Sequence, residues 1–88
     1  MLERHVEQAL VDAAKLAGGW APKWVSPGHD GVPDRIVLMP GGRIVFVELK
    51  APGERPTPLQ AKVHEKLTAL GFNVDVIDSV EDARAYFI

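Results

Sequence analysis

Residues Val32–Pro52 read VPDRIVLMPGGRIVFVELKAP. Two apolar strands, Arg35 to Met39 and Arg43 to Leu49, flank a glycine-rich turn, and the ends remote from that turn carry Asp34, Glu48 and Lys50. The register of the hairpin decides whether these charges meet. A two-residue Gly41-Gly42 turn would set Asp34 across from Leu49. A three-residue Pro40-Gly41-Gly42 loop sets Asp34 across from Glu48, Ile36 across from Phe46 and Leu38 across from Ile44. The longer loop is expected, because such loops need a left-handed residue near their end and glycine adopts that conformation freely. Side chains on a strand alternate with period two, so Asp34, Glu48 and Lys50 then project from one face.

Two carboxylates directly opposite on neighbouring strands repel each other. At ~4 Å and an effective dielectric of ~20 the repulsion is about 4 kcal/mol, against a total stability of roughly 5 kcal/mol or somewhat more for a small domain. Lys50 relieves only part of it. A divalent cation between the two acids makes the geometry attractive, and ligation by oxygen alone suits magnesium or manganese. The competing view is that both acids end their strands in solvent, with Lys50 in a weak surface ion pair.

Outward from the hairpin, Leu2 to Ala17 has the spacing of an amphipathic helix, with Leu2, Val6, Leu10, Ala13 and Ala17 on one stripe and Gly18-Gly19 as its stop. Glu3 and Glu7 lie one turn apart at the edge of that stripe. Trp20 to Val25 is expected as a short edge strand, since Pro22 cannot donate to a ladder. Ser26 to Gly31 is a loop. After the proline-rich connector Ala51 to Pro56, a second helix starts at Thr57, with Pro58 at its first position and Gln60 completing a capping box. Leu59, Val63, Leu67 and Leu70 are expected on its inner face, and Gly71 ends it. Phe72 to Ile77 is a further strand, and Ser79 caps a last helix carrying Val80, Ala83 and Phe87. The order α-β-β-β-α-β-α is that of a mixed α/β domain.

With 88 residues, 47% of them apolar, the chain is expected to form one domain, residues 1–88, with a modest core. It has no apolar run long enough to span a bilayer and its start lacks the apolar segment of a signal peptide, so a soluble, cytoplasmic protein without membrane contact is expected. There is no cysteine, which excludes disulfides, thiolate catalysis and cysteine-bound zinc. The net charge is only -2, but basic residues outnumber acids between Lys50 and Gly71, whereas Asp75, Asp78, Glu81 and Asp82 face Arg84 alone thereafter. A polyanion would meet the middle of the chain and avoid its tail.

Pro33-Asp34 followed by Glu48-Leu49-Lys50 resembles the PD-(D/E)xK nuclease signature. The fuller pattern resembles its VRR-NUC branch, the virus-type replication-repair nucleases: Glu7, Gly18-Gly19, Lys23, Ser26-Pro27-Gly28, Gly31-Val32-Pro33-Asp34-Arg35, Glu48-Leu49-Lys50, Leu59-Gln60 and Gly71. The resemblance covers nearly the whole chain and is to the short, stand-alone phage-type members. It implies a restriction-endonuclease-like core, a mixed β-sheet flanked by helices, and a Mg2+- or Mn2+-dependent deoxyribonuclease. Asp34 and Glu48 would be metal ligands together with the Leu49 carbonyl, and Glu7 would join them from the first helix, with Glu3 as the alternative. Lys50 would orient or help deprotonate the attacking water, and Gln60 would hold Lys50 or the substrate, unless it serves only the capping box. Lys23, Arg35 and Lys62 would hold backbone phosphates, although Arg35 is equally suited to pair with an acid on its own sheet face.

The same resemblance implies an endonuclease selective for branched DNA, such as Holliday junctions or flaps, in replication, recombination or repair, within a bacterial or phage-infected cell. A hairpin apolar on both faces needs cover on both faces, and a homodimer would provide it. His29 and Asp30 sit in the Ser26 to Gly31 loop, where contact with substrate competes with a plain surface role. Trp20 and Trp24 suit base stacking or packing. Two other functional classes stay open: a catalytically silent DNA-binding module with the same fold, and an interaction protein whose charged hairpin end is incidental.

Overall fold

The hairpin forms in the longer-loop register. Strands β1 (Arg35–Met39) and β2 (Arg43–Leu49) pair antiparallel, with Arg35 opposite Val47, Ile36 opposite Phe46, Leu38 opposite Ile44 and Met39 opposite Arg43. Pro40, Gly41 and Gly42 are left to turn the chain, and both glycines adopt positive φ, 84° and 77°. The computed structural model describes residues 2–87. Around the hairpin stand helices α1 (Glu3–Leu16), α2 (Pro58–Ala69) and α3 (Val80–Ala85), with strand β3 (Asn73–Ile77) between the last two. β3 pairs parallel with β2, from Val45 opposite Asn73 to Leu49 opposite Ile77. The sheet order is therefore β1-β2-β3, with α2 as the crossover that a parallel pair requires.

The expected edge strand at Trp20 to Val25 does lie along β1, but it pairs through two isolated bridges, Trp20 with Leu38 and Lys23 with Arg35. Pro22 explains the interruption. Its carbonyl accepts from the Ile36 N–H at 3.0 Å, but it has no N–H to return.

The two faces of the sheet differ in what covers them. Val37, Val47, Leu49 and Ile77 point to one side, where Val6, Leu10 and Ala14 of α1 and Val80 and Ala83 of α3 close a dry apolar core. Tyr86, just beyond α3, donates a hydrogen bond to the Asp75 carboxylate of β3 and ties that helix to the sheet. On the other side Trp24, Phe46 and Phe72 form an aromatic row, with ring centroids 5.0 and 5.4 Å apart. α2 turns Val63 and Leu67 inward on this side, while Ile44, Phe72 and Val76 stay exposed.

The inner face of α2 differs from the expected one. Leu67 is buried and Val63 half-buried, but Leu59 and Leu70 are exposed, at 51% and 67%. The inward row is instead Gln60, Val63, His64 and Leu67, which keeps the three- and four-residue spacing of a helix face. Gln60 and His64 turn toward Glu48, and that rotation carries the two leucines outward. Gly31, in the loop before β1, lies under the first turn of α2: a Cβ there would meet the Leu59 carbonyl oxygen at 3.1 Å and Val63 Cγ2 at 3.2 Å. Among the described residues no helix is long and apolar enough to cross a membrane.

Candidate active site

The open end of the hairpin is where the sheet is most buried. β2 passes from exposed residues at the turn to buried Phe46, Val47, Glu48 and Leu49, and Lys50 beyond them is buried as well. The register, continued one step past Arg35 and Val47, sets Asp34 across from Glu48. Asp34 is pinned there by both its backbone and its side chain. Its carbonyl accepts from the Trp24 N–H at 3.0 Å, and its Oδ2 accepts from the Leu49 N–H at 2.9 Å.

Glu48 is only 2% exposed. Burial first, then the Asp34 charge and a hydrogen bond with Asp34, push its carboxyl up to about 8, with Lys50 opposing. The metal-free site therefore favours a proton on Glu48, because two anions cannot comfortably share a desolvated corner. Around this carboxyl, Gln60 Nε2 donates to Oε2 at 3.3 Å and Lys50 Nζ stands 3.8 Å from the same oxygen. His64 Nε2 lies 3.6 Å from Oε1. Those last two atoms are both buried and have no hydrogen-bond partner.

Gln60 uses both ends of its amide. Its Oε1 accepts from the Thr57 N–H at 2.9 Å and its own N–H donates to Thr57 Oγ1 at 3.2 Å, closing the capping box. Its Nε2 is thereby free to reach Glu48, and not Lys50.

The first helix divides its two glutamates. Glu7 Oε2 accepts from Arg35 Nε at 3.0 Å, and Arg35 Nη1 donates to the Ala21 carbonyl at 2.9 Å. Glu7 and Arg35 therefore engage each other on the α1 side of the sheet, one step away from the acid pair. Glu3 is the residue that senses that pair: burial and then Asp34 raise its pKa, and Glu3 in turn raises that of Glu48. Lys23 and Lys62 are exposed. His29 and Asp30 are exposed in their loop, and Trp24 packs on Phe46.

Sequence reasoning passed over His64, although its position four residues after Gln60 sets both on one helix face. Its imidazole pKa is lowered, by burial first and then by Lys50, with Asp34 opposing, which favours the neutral ring. Among the described residues no group of three His, Asp or Glu side chains already converges as a metal cage. The Asp34 and Glu48 carboxylates nevertheless form a hard oxygen donor set, and the unpartnered Oε1 is a buried acceptor that a cation would satisfy.

No family model matches the chain. Over 77 residues it is 54% identical to "Putative nuclease p44" of Acyrthosiphon pisum secondary endosymbiont phage 1, an alignment spanning 88% of this chain and 83% of that protein. A solved structure described as a VRR_NUC domain superposes with a TM-score of 0.88 at 32% sequence identity, covering 94% of this chain and 90% of the other.

Proposed function

This chain belongs to the VRR-NUC family as a short phage-type member, and from that premise we propose that it is a Mg2+- or Mn2+-dependent deoxyribonuclease that cuts branched DNA internally. The observation that carries the reading is the acid pair: Asp34 and Glu48 face one another at the buried end of the hairpin, with Lys50 beside them. Without a counter-cation this arrangement is costly, and the chemistry of phosphodiester hydrolysis is a reason for a protein to keep it.

In this reading Asp34 and Glu48 hold the ion, with the Leu49 carbonyl and a carboxylate of α1. Glu3 is favoured for that last role, because Glu7 is already engaged by Arg35. When bound, the ion supplies a water of lowered pKa and neutralises charge on the scissile phosphate. Lys50 orients the attacking water and donates to the phosphate oxygen on which charge develops. Gln60 fixes the orientation of Glu48 through its 3.3 Å hydrogen bond. Lys23 and Lys62 meet the DNA backbone from the exposed surface, a task for which Arg35 is less free.

The incompletely covered sheet face supports a homodimer. Trp20 is opposite Leu38, Leu38 is opposite Ile44, and Phe72 immediately precedes Asn73, the partner of Val45. Trp20 is 66% exposed, and Ile44 and Phe72 are also exposed. A second copy seated on this apolar row would bury it and present two sites to a two-stranded or four-way substrate, in the cytoplasm of a bacterial or phage-infected cell. Sedimentation at micromolar concentration as a monomer would remove this part of the reading.

The principal test is incubation of the protein with labelled Holliday junctions, flaps and linear duplexes, with Mg2+ or Mn2+ and a Lys50→Ala control. Metal-dependent cleavage of branched DNA by the wild type alone is the expected result. Salt-sensitive binding to the same DNAs with no cleavage under any metal would make the chain a silent binding module instead.

A further inference from the structure

Of the two orphaned atoms beside the acids, His64 Nε2 has no role in the chemistry above. Glu48 Oε1 and His64 Nε2 face each other at 3.6 Å, both buried, neither with a partner. A desolvated acceptor and a desolvated ring nitrogen are each costly to leave unpaired, and buried polar atoms are rarely left so. The separation is just outside hydrogen-bond range, and a shift of about half an ångström closes it. The residue one turn earlier on the same helix, Gln60, already donates to the other oxygen of the same carboxylate.

We infer that His64 is a positioning residue of the active site: with Nε2 protonated it donates to Glu48 Oε1, so that Gln60 and His64 together grip both oxygens of the carboxylate and aim it at the metal. The inference rests on the metal-dependent reading above and adds a residue that acts through Glu48. Each carboxylate oxygen has a second lone pair, so the grip from α2 leaves coordination from the Asp34 side open. Residues that hydrogen-bond a metal-ligating carboxylate change metal affinity or activity by about 10–100-fold when removed. A neutral imidazole is the suitable donor here, since a second cation beside Lys50 would oppose the bound ion. The helix contributes spacing as well: side chains four residues apart stand one above the other, which matches the two oxygens of one carboxylate.

The test compares His64→Leu with His64→Gln, two substitutions of similar volume of which only the second keeps a donor. Leucine favours helix more than histidine and removes a buried unpaired nitrogen, so the folded state is expected to survive. Mn2+ binding to the metal-free protein is measured by titration calorimetry, with the melting temperature recorded alongside. The expected result is that His64→Leu binds Mn2+ about 10–100-fold more weakly than wild type while melting at the same or a higher temperature. His64→Gln should stay within about threefold of wild type, and DNA cleavage by His64→Leu should recover at high metal concentration.

Unchanged Mn2+ affinity in His64→Leu would overturn the inference. So would an equal loss in both variants, which would mean that the ring nitrogen itself is required, or failure of both to fold, which would make the contact structural. A wild-type protein that binds no Mn2+ at all would instead defeat the metal reading of the whole site, an outcome separable from the others because it needs no variant.

Discussion

The two faces of the sheet are built from the same kinds of residue and serve opposite ends. Toward α1 and α3, Val37, Val47 and Leu49 are wholly buried among Val6, Leu10, Ala14 and Ala83, and the charges of Glu7 and Arg35 pair with each other at the margin. Toward α2, β2 delivers Glu48, and Lys50 just beyond it, into a buried corner, while Ile44 and, just before β3, Phe72 stay exposed. One face stabilises the fold. The other uses that stability to hold together groups that repel, because a small domain has few kcal/mol to spare and cannot place a strained site in its apolar core.

That contrast can be broken experimentally, and the largest effect belongs to the dry face. Leu10→Ala should lose about 2–5 kcal/mol, most of what a domain of this size possesses, as read from urea unfolding. A loss below ~1 kcal/mol would mean that the α1 face is not the main support. Next in size, Lys50→Ala should lower the cleavage rate about 10²–10³-fold, the range seen when one donor to a developing charge is removed, while the urea midpoint moves little. A collapse of stability in that variant would assign Lys50 to the fold.

A smaller effect is expected from pH. Glu48 is raised from the ordinary carboxylate value to about 8 in the folded protein, so between those limits the native state binds more protons than the unfolded chain. The stability of the metal-free protein should therefore be fullest below the ordinary carboxylate range and fall as pH rises toward 8, by no more than about 1.4 kcal/mol per pH unit. Glu48→Gln should flatten the profile. Thermal melts of the metal-free protein from pH 5 to 8 would check both, and a flat wild-type profile would contradict the buried, acid-crowded site.

The finest distinction lies within α1. Glu7→Gln should cost about 1 kcal/mol by weakening the half-buried pair with Arg35 and leave Mn2+ affinity nearly unchanged. Glu3→Gln should do the reverse. Calorimetric titration with Mn2+, set beside unfolding curves for both variants, would decide which glutamate serves the metal. Equal loss of affinity in the two would assign both to the site.

Much of this was legible from local sequence. The Pro40-Gly41-Gly42 loop fixed the register, and with it the meeting of Asp34 and Glu48, because turn geometry and strand alternation are short-range effects. Thr57, Pro58 and Gln60 marked the start of α2 for the same reason. Docking was harder to foresee. A helical wheel places Glu3 and Glu7 on one stripe but does not say which turn of the helix meets the end of the sheet. The apolar spacing of Leu59 and Leu70 predicted a face of α2 that the needs of Glu48 turn outward. His64 was passed over because a polar residue on an inward face is visible only once the partner across from it is known.

The double use of Gln60 has a consequence for how the protein would fail. One amide both starts α2 and steadies Glu48, so fraying of a single helical turn disarms the site while β1, β2, β3 and their apolar backing remain intact. Gentle warming should therefore silence the protein before it denatures, and the amide protons of Gln60 and Ala61 should begin to exchange with solvent at the same temperature at which turnover stops.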